Sequence, residues 1–462
     1  MIHRQSTGLL RFFEIVSILK GSIPAPSMNP GLRRLLVATL SGALFASVSG
    51  AVEPLQAHDA TVGVSAIPAV SNESVLHSFI GGATDGELPQ SKLIMGPSGT
   101  LFGTTPTGGE HNLGTVFELT LSGSTWTEKV LYNFSGTPDG ANPNSALVMD
   151  ALGNLYGTTT HGGIYGASSS GYGTFFELSP LAGSWILTGI YSFEGGKDGF
   201  YPYNNEGLVR DSSGNFYGTT SQGGLSGLGT AFEIIPPPTG STIWTKKILH
   251  NFEDNATDGG RPQNSLILDT HGNLFGTTFY GGAHGHGTVF ELSPNPPNQL
   301  WLSTLLYSFG ATATDGIEPW CSLVLSATGN LYGTTTVGGL YNGGTIFQVT
   351  PGNPSIELIL YNFDGATGDG INPFAGLTRD FAGNLYGTTQ AGGSYHLGTV
   401  FELPLGAPGK PTVLHNFGGT NIGDDGASPQ HGALLVDSQG NLYGTTDVGG
   451  THSLGTVFKV TP

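Results

Sequence analysis

One seven-residue motif recurs seven times along the chain, and this repetition constrains the fold more than any other feature. The motif is Gly-Asn-Leu-Tyr-Gly-Thr-Thr or a near copy of it. The copies occupy residues 99–105, 153–159, 214–220, 272–278, 329–335, 383–389 and 440–446. A fixed spacing of roughly 57 residues is typical of proteins that stack one supersecondary unit many times. The chain is therefore predicted to be a tandem-repeat protein.

Each unit contains four short runs that are typical of β-strands. In the second unit they are residues 145–150, 154–159, 173–178 and an apolar run that ends at 191–193. They are rich in β-branched and aromatic residues and are bounded by Gly, Asp, Asn or Pro. No stretch shows helical periodicity. Four strands in each of seven units predict an all-β fold, a seven-bladed β-propeller over residues 74–462.

Two sets of phenylalanines recur at fixed places in the unit. One set lies in the Gly-Thr-Val-Phe-Glu-Leu run, at Phe117, Phe176, Phe232, Phe290, Phe347, Phe401 and Phe458. The other closes the fourth run, at Phe79, Phe134, Phe193, Phe252, Phe309, Phe363 and Phe417. Burying one Phe contributes roughly 1.5–3 kcal/mol. These fourteen side chains are predicted to form much of the core between the blades.

The order of the strands within a blade decides how the ring closes. An apolar run followed by Asp-x-x-Gly-Asn-Leu-Tyr resembles the inner two strands of NHL-type propellers. This resemblance implies that the first run of each unit lines the central channel. Residues 74–79 would then be the outermost strand of the last blade, whose other three strands come from 432–462. The two ends of the chain would close the ring together.

The amino-terminal region has the organisation of an export signal. From Met28 the chain carries two arginines, an apolar run and a small-residue site that ends at Ala51. We therefore expect a signal peptide over residues 1–51, with Met28 as an alternative start, Ala57 as a second cleavage position and an uncleaved anchor as the alternative. Residues 52–73 are expected to be a flexible leader. The mature protein is expected to be secreted, in an extracellular or periplasmic location.

The net charge limits which classes of partner are suitable, and the cysteine content limits which disulfides are possible. Acidic residues outnumber basic ones 33 to 15, which gives a formal charge of −18. Such a surface repels phosphate backbones and anionic lipids, so nucleic acid and membranes are poor partners. The single cysteine, Cys321, excludes an intrachain disulfide and is expected to be a buried apolar side chain. We expect a monomer without a membrane span in the mature chain.

The repeated motif, with the Gly-Gly and Gly-Thr-Val-Phe-Glu-Leu segments that follow it, resembles the Gloeo/Verruco (GloVer) tandem repeat. The resemblance covers about residues 74–462 and implies an exported bacterial protein with propeller-like repeats. Many members carry a sorting anchor, whereas this chain stops at Pro462 directly after a predicted strand, which favours a soluble product. The family supplies no catalytic residues to assign.

Two sets of loops are predicted to share one mouth of the channel. The first carries Asp-Gly-x-x-Pro in every unit, with the aspartates Asp85, Asp139, Asp198, Asp258, Asp315, Asp369 and Asp425. The second carries Gly-Gly, a variable stretch and Gly-Thr. A ring of carboxylates could hold Ca²⁺ or a cationic ligand. Because Asp-Gly is also standard turn chemistry, a purely turn-forming role is the alternative. We expect no cofactor, with Ca²⁺ as the alternative.

Several residues that break the repeat fall on the same predicted mouth. They are the aromatic residues Tyr201, Tyr203, Phe279, Tyr280, Trp320 and Phe374. Aromatic rings beside carboxylates suit sugar binding, so these residues, with Asp198, Asp258, Asp315 and Asp369, are the candidate ligand-binding set. The alternative is that the aromatic rings seal the junctions between blades.

The histidines do not form a recognisable catalytic pattern. His77, His250 and His415 occupy a slot that holds Tyr in the other units, so they are expected to pack on the outer strands. The pair His284 and His286 could ligate a metal, but it lacks a nearby carboxylate or cysteine. The chain contains no nucleophile elbow, His-Glu-x-x-His motif, phosphate loop or EF-hand pattern.

Two functions fit these observations. The first is a non-catalytic scaffold or recognition module that binds an extracellular glycan or protein at the mouth. The second is a propeller-type glycoside hydrolase or polysaccharide lyase that uses rim carboxylates near Tyr201, Tyr203 and Trp320. Spacing along the chain cannot show whether two carboxylates lie within reach of one substrate. A polar cluster that breaks the symmetry of the mouth would favour the enzyme.

Overall fold

A computed structural model describes most of the repeat region. The described residues are 73–166, 170–295, 300–352, 354–366, 368–406, 409–419 and 425–462. All of them belong to one compact unit. The predicted signal peptide, residues 1–51, and all but the last residue of the predicted leader lie outside the described residues.

Within the described residues the chain forms seven four-stranded antiparallel sheets. Each sheet contains one copy of the repeated motif in its second strand, so each repeat unit corresponds to one blade. The seven-bladed β-propeller predicted from the sequence is confirmed. Blades 1 to 7 are numbered here from residue 94 onward.

The strands follow the same order in every blade. From blade 1 to blade 7 the innermost strands are Ile94–Met95, Val148–Met149, Val209–Arg210, Ile267–Leu268, Val324–Leu325, Thr378–Arg379 and Leu435–Val436. The second strands are Leu101–Thr105, Leu155–Thr159, Phe216–Thr220, Leu274–Thr278, Leu331–Thr335, Leu385–Thr389 and Leu442–Thr446. The third strands are Thr115–Ser122, Thr174–Leu181, Thr230–Ile235, Thr288–Asn295, Thr345–Thr350, Thr399–Leu403 and Thr456–Val460. The outermost strands are Thr125–Asn133, Ser184–Ser192, Thr245–Asn251, Leu300–Ser308, Ile356–Asn362 and Thr412–Asn416, with Glu73–Ser78 in blade 7.

The two predicted loop sets pair with each other on one face of the ring, which is called the mouth below. In five blades they form small two-stranded sheets: Gly86–Glu87 with Thr107–Gly108, Gly259–Gly260 with Tyr280–Gly281, Gly316–Ile317 with Val337–Gly338, Gly370–Ile371 with Ala391–Gly392, and Gly426–Ala427 with Val448–Gly449. In blades 2 and 3 single bridges take their place, between Ala141 and His161 and between Phe200 and Gln222. The Asp-Gly-x-x-Pro loop therefore lies beside the Gly-Gly loop in every blade.

The first strand of each unit is the innermost one, as the resemblance to NHL-type propellers implied. Residues from these strands in blades 3 to 7, together with Lys92 of blade 1, line a central channel of about 650 Å³. At the end of the channel opposite the mouth lies the turn with Asp380 and Phe381. The Phe381 side chain is 99% exposed.

The amino-terminal strand closes the ring. Glu73–Ser78 pairs antiparallel with Thr456–Val460, the last strand of the chain, in a register that places Glu73 opposite Val460 and Ser78 opposite Thr456. The predicted closure by both chain ends is confirmed. Because every other blade is continuous in sequence, blade 7 is the only one among the described residues whose integrity depends on a long-range pairing.

The second glycine of the repeated motif makes room for an aromatic ring. A Cβ atom at Gly157 would lie 2.6 Å from Cζ of Phe176 on the neighbouring third strand. The equivalent contact in every blade, between these glycines and the Phe of Gly-Thr-Val-Phe-Glu-Leu, would be 2.5 to 2.9 Å. Real Cβ atoms do not approach so closely, so this Gly is required by packing. It makes room for the tip of the Phe ring beside the second strand.

Each of these rings also meets a ring from the preceding blade. The Phe that ends an outermost strand contacts the Phe of the following blade edge to face, for example Phe134 with Phe176 at 5.1 Å between ring centroids. The seven pairs have centroid distances of 5.0 to 5.4 Å. All fourteen side chains are at most 2% exposed. The predicted core between the blades is confirmed.

The two threonines that end the motif connect strands and blades. The second Thr is hydrogen-bonded to the Thr that opens the third strand, at 2.8 to 2.9 Å between hydroxyl oxygens in all seven blades. In six blades the first Thr donates to a backbone carbonyl of the next blade. The bond from Thr445 to the carbonyl of Ser91 links blade 7 to blade 1 and completes the ring.

The contact between Gly and Phe gives a test of this packing. Gly157→Ala should lower the free energy of unfolding by about 1–3 kcal/mol, because the added methyl group overpacks a site with no free space. Gly406→Ala is a matched control, since a Cβ there meets nothing within 4 Å. Urea denaturation of both variants measures the difference. Equal stability of the two variants would contradict the packing role of Gly157.

Candidate functional site

The aspartates of the Asp-Gly-x-x-Pro loops are held by the blade that precedes them. Asp139 accepts hydrogen bonds from the backbone N–H of Ser135 at 3.0 Å and from the hydroxyl of Tyr132 at 3.0 Å. In the other six units, the residue directly after the outer Phe likewise donates its N–H to the Asp carboxylate. The carboxylate thus fixes the chain as it leaves the outermost strand.

The slot that holds Tyr or His in each outermost strand supplies the second partner of the same Asp. The hydroxyls of Tyr132, Tyr191, Tyr307 and Tyr361 donate to it in blades 1, 2, 4 and 5. In the other three blades His77, His250 and His415 place Nε2 at 3.2, 3.0 and 3.4 Å from a carboxylate oxygen. Their rings also contact the neighbouring Phe edge to face, as the predicted outer-strand packing requires.

These contacts bear on the ring of carboxylates that the sequence suggested. Asp315 and Asp369 are at most 4% exposed. The carboxylates of Asp198 and Asp258 are each held by the Tyr or His side chain of the outermost strand and by a backbone N–H group. The residue before the Pro of this loop has a left-handed φ of 52° to 58° in all seven units, as at Tyr201. This geometry favours the turn-forming alternative for the aspartates.

Three of the predicted aromatic residues converge at the mouth. Tyr201 and Tyr203 of blade 3 and Trp320 of blade 5 line one cleft of about 280 Å³. The other lining residues are His161, Ser221, Gln222, Arg261 and Gln263. These eight residues are called the mouth cleft. They come from loops of blades 2 to 5, so the cleft occupies one side of the ring only.

The remaining predicted aromatic residues lie next to the mouth cleft. Phe279 and Phe374 both contact the Trp320 ring edge to face, at centroid distances of 5.0 and 6.0 Å. Phe279 also packs against Tyr280, whose side chain is 37% exposed and lies under the guanidinium of Arg261 at 5.6 Å. Phe279, Tyr280, Trp320 and Phe374 thus form one group of contacting rings, in which Phe279 and Phe374 support Trp320.

Two buried polar atoms in the mouth cleft have no hydrogen-bond partner among the described residues. They are Nδ1 of His161 and Nε1 of Trp320. The His161 ring stacks at a tilt on Tyr201 at 4.8 Å, and burial lowers its pKa, so the imidazole is neutral at pH 7. Buried polar groups in proteins are almost always hydrogen-bonded. Both atoms are therefore unusual, and both belong to side chains that line the mouth cleft.

A two-residue insertion that the sequence analysis passed over closes the channel toward the mouth. Leu208 follows Pro202 by six positions, whereas Leu147 follows Pro143 by four. The insertion places Glu206, whose side chain is 8% exposed, against blades 1, 6 and 7. Its carboxylate lies 3.7 Å from Nζ of Lys92 and accepts the backbone N–H groups of Gly376 and Ala433 at 3.1 and 2.9 Å.

A polar cluster also breaks the symmetry of the mouth, on the side away from the mouth cleft. Nδ1 of His431 lies 3.0 Å from Asp447, and Nε2 of Gln90 donates to the same carboxylate at 3.0 Å. By position in the repeat, Asp447 matches Phe279 and Gln90 matches Trp320. Sequence reasoning missed this cluster because Gln90 and Asp447 come from opposite ends of the chain.

Other candidates from the sequence have simpler environments. Cys321 is fully buried, and burial raises the pKa of its thiol to about 12, so it packs as an uncharged side chain. Neither His284 nor His286 belongs to a cluster of three metal-ligating side chains within the described ranges.

The structure also bears on the expected absence of a membrane span. In the part of the chain that the structure describes, no helix has the length and apolar character needed to cross a bilayer.

Fold and mouth together define a tandem-repeat β-propeller with seven near-equivalent blades and one asymmetric aromatic cleft. The chain belongs to the Gloeobacter/Verrucomicrobia repeat family, whose model matches residues 59–246 and 245–458. This match confirms the resemblance carried by the repeated motif. No curated protein matches the chain.

Solved structures show distant similarity. A predicted 6-phosphogluconolactonase from Bacteroides uniformis is 14% identical, with a TM-score of 0.45 over 71% of this chain and 84% of that one. A protein of unknown function from Dyadobacter fermentans is 12% identical, with a TM-score of 0.40 over 84% and 98%. Trypanosoma rangeli sialidase is 9% identical, with a TM-score of 0.39 over 84% and 59%. These scores lie below 0.5, so the similarities give no indication of activity.

The residue four positions before the Tyr or His slot differs from blade to blade and is called the junction position. It holds Glu73, Glu128, Leu187, Lys246, Ser303, Glu357 and Pro411. Lys246 places Nζ 3.0 Å from Asp198 in the loop that enters blade 3. In blade 5 the junction position holds Glu357. Burial, together with the charge of Asp315, raises the pKa of Glu357 to about 7.

Glu357 predicts a pH dependence of stability. Its pKa is about 7 in the folded chain and 4.5 in the unfolded chain, so the folded state binds the proton more tightly. The stability from this proton is fully present below pH 4.5 and is lost as the pH rises through about 7. The Glu357→Gln side chain stays uncharged at every pH. As the pH rises from 5 to 8, this variant should therefore become more stable relative to the native chain.

Urea denaturation at pH 5 and at pH 8 measures this effect. A chelator is included to keep metal ions from contributing to stability. Glu110→Gln is the control, because Glu110 is exposed and should leave the pH dependence unchanged. A Glu357→Gln variant with the same pH dependence as the native chain would show that Glu357 does not carry a raised pKa.

Proposed function

We propose that the protein is an exported, non-catalytic recognition module that binds a glycan in the mouth cleft. The observation that carries this proposal is the convergence of Tyr201, Tyr203 and Trp320 from two different blades on one cleft. The corresponding loops of the other blades share the same frame but lack this set of rings. The departures from the repeat therefore concentrate where a ligand could bind.

The chemistry of the mouth cleft suits a sugar. Aromatic faces pack against the C–H groups of a pyranose ring, and aromatic side chains supply a large contact area at low entropic cost. The amides of Gln222 and Gln263 and the guanidinium of Arg261 offer donors and acceptors to hydroxyl groups.

The size of the cleft limits what it can hold. About 280 Å³ lies just below the range of roughly 300–1,000 Å³ that is usual for ligand sites. The cleft therefore fits a terminal sugar or a short segment of a longer chain. Glu206 closes the channel beneath the mouth, so a long glycan would run across the rim and would not thread the ring.

A second candidate function rests on His431 and Asp447. An Asp that holds Nδ1 of a histidine leaves Nε2 to act as a general base or acid. Both hydrogen-bonded contacts of this ring with described residues are made by Nδ1. This cluster supports the alternative of a glycoside hydrolase or polysaccharide lyase, with His431 in place of the loop aspartates as the acid or base.

A glycan array followed by titration of a bound oligosaccharide tests the binding proposal. Tyr203→Ala and Trp320→Ala should each weaken binding by about tenfold or more, because buried aromatic anchors carry much of the affinity of such sites. Tyr395→Ala is the matched control, since this tyrosine is 50% exposed and lies outside the mouth cleft. Its affinity should equal that of the native protein.

The same experiment separates the two functions. Oligosaccharides that are recovered intact after incubation support the recognition module. Cleavage products that disappear in His431→Gln would support the enzyme instead. Binding that survives both aromatic substitutions, or no binding to any glycan, would contradict the mouth cleft as the site.

A further inference from the structure

Two junctions between blades carry a histidine, an aspartate and a glutamate within reach of one ion. In the first, His77, Asp85 and Glu128 each place one ligand atom within 4.8 Å of the others. In the second, Glu73, His415 and Asp425 do the same. They are the only such groups of three metal-ligating side chains within the described residues. Both arise where a Glu at the junction position meets a His in the slot of the preceding blade.

The first cluster lies between blades 7 and 1. Nε2 of His77 is 3.2 Å from Asp85 Oδ2, and the two oxygens of Asp85 also accept the backbone N–H groups of Ile80 and Gly86 at 2.8 and 2.7 Å. The third member, Glu128, comes from the outermost strand of blade 1. Its Oε1 is buried and has no hydrogen-bond partner among the described residues. This oxygen is an unused ligand atom beside the other two side chains.

The second cluster lies between blades 6 and 7 and shows a different unused atom. The His415 side chain is 10% exposed, and its Nε2 is buried without a hydrogen-bond partner in the described ranges. That nitrogen points at Asp425, with 3.4 Å between Nε2 and Oδ2. Glu73 completes the group from the first residue of the ring-closing strand.

Each cluster places two carboxylates beside one histidine. Two carboxylates in one partly buried site repel each other and lose their hydration. Burial and the neighbouring charge of Asp85 raise the pKa of Glu128 to about 8, and burial and Asp425 raise the pKa of Glu73 to about 7. The junction between blades 2 and 3 balances the charge differently, because Lys246 forms an ion pair with Asp198.

We propose that these two clusters bind divalent transition-metal ions, with Zn²⁺ as the best-suited metal. Imidazole nitrogen and carboxylate oxygen are both ligand types that bind Zn²⁺, and water would supply a fourth ligand. Ca²⁺ needs six to eight oxygen ligands, so a site with a histidine and few oxygens does not suit it.

The position of the clusters gives the metal a structural role. Each cluster takes one ligand from the ring-closing strand Glu73–Ser78, namely His77 in the first and Glu73 in the second. The other ligands belong to blade 1 and its entry loop, or to blade 6 and the loop that follows it. Metal binding would tie the terminal strand to both neighbouring blades and so stabilise the closed ring.

The test uses the chain without metal, prepared by dialysis against EDTA, and titrates it with ZnCl₂ in a calorimeter. We expect two Zn²⁺ ions per chain and a melting temperature that rises with added Zn²⁺. His77→Gln and His415→Gln should each remove one ion, and circular dichroism should confirm that both variants are folded. CaCl₂ should give no response that depends on these histidines.

His250→Gln is the matched control, because His250 pairs with Asp258 in the same way but the junction position of the next blade is Ser303. It should retain both ions. The double variant His284→Gln and His286→Gln controls for adventitious binding at that pair and should also retain both. No Zn²⁺ binding, or binding that persists in His77→Gln and His415→Gln, would overturn the proposal.

Discussion

The fold depends on one repeated contact, a phenylalanine ring that lies on a glycine of the adjacent strand and meets a second phenylalanine from the preceding blade. A side chain larger than hydrogen at that glycine would place Cβ within 3 Å of the ring. The paired ring arrives edge to face, which is a favoured geometry for aromatic side chains. Seven copies of this contact join the blades, and the Thr445 hydrogen bond to Ser91 closes the circle.

The Asp-Gly-x-x-Pro loops also repeat one set of contacts in every blade. Each Asp accepts the N–H after the outer Phe, and the Tyr or His two residues before that Phe lies within 3.4 Å of its carboxylate, so the loop begins in a fixed direction. The loop then presents its variable residues at the mouth. A rigid, repeated frame with a few exchanged side chains is an efficient way to build a binding site, because recognition residues work best on an ordered support.

Much of this could be predicted from the sequence, because repetition converts a local pattern into a global one. The Phe sets, the strand order and the closure by residues 74–79 all follow from one unit applied seven times. The convergence of Tyr201 and Trp320 was partly foreseeable, since both lie at equivalent loops. The contacts of Glu206 with blades 1, 6 and 7 and the pairing of Gln90 with Asp447 were not, because only the closed ring brings those segments together. The clusters at His77 and His415 depend on which residue occupies the junction position of the next blade. Only the structure shows that this position lies beside the Tyr or His slot of the preceding blade.

Ring closure by the terminal strand is the central claim of this account, and truncation tests it most directly. A chain that begins at Glu73 retains the strand that pairs with Thr456–Val460, whereas a chain that begins at Ile80 lacks it and also loses Phe79 from its pair with Phe117. Thermal unfolding of the two chains should differ, with a melting temperature many degrees lower for the chain that begins at Ile80. Equal melting temperatures would contradict the closure of the ring by this strand.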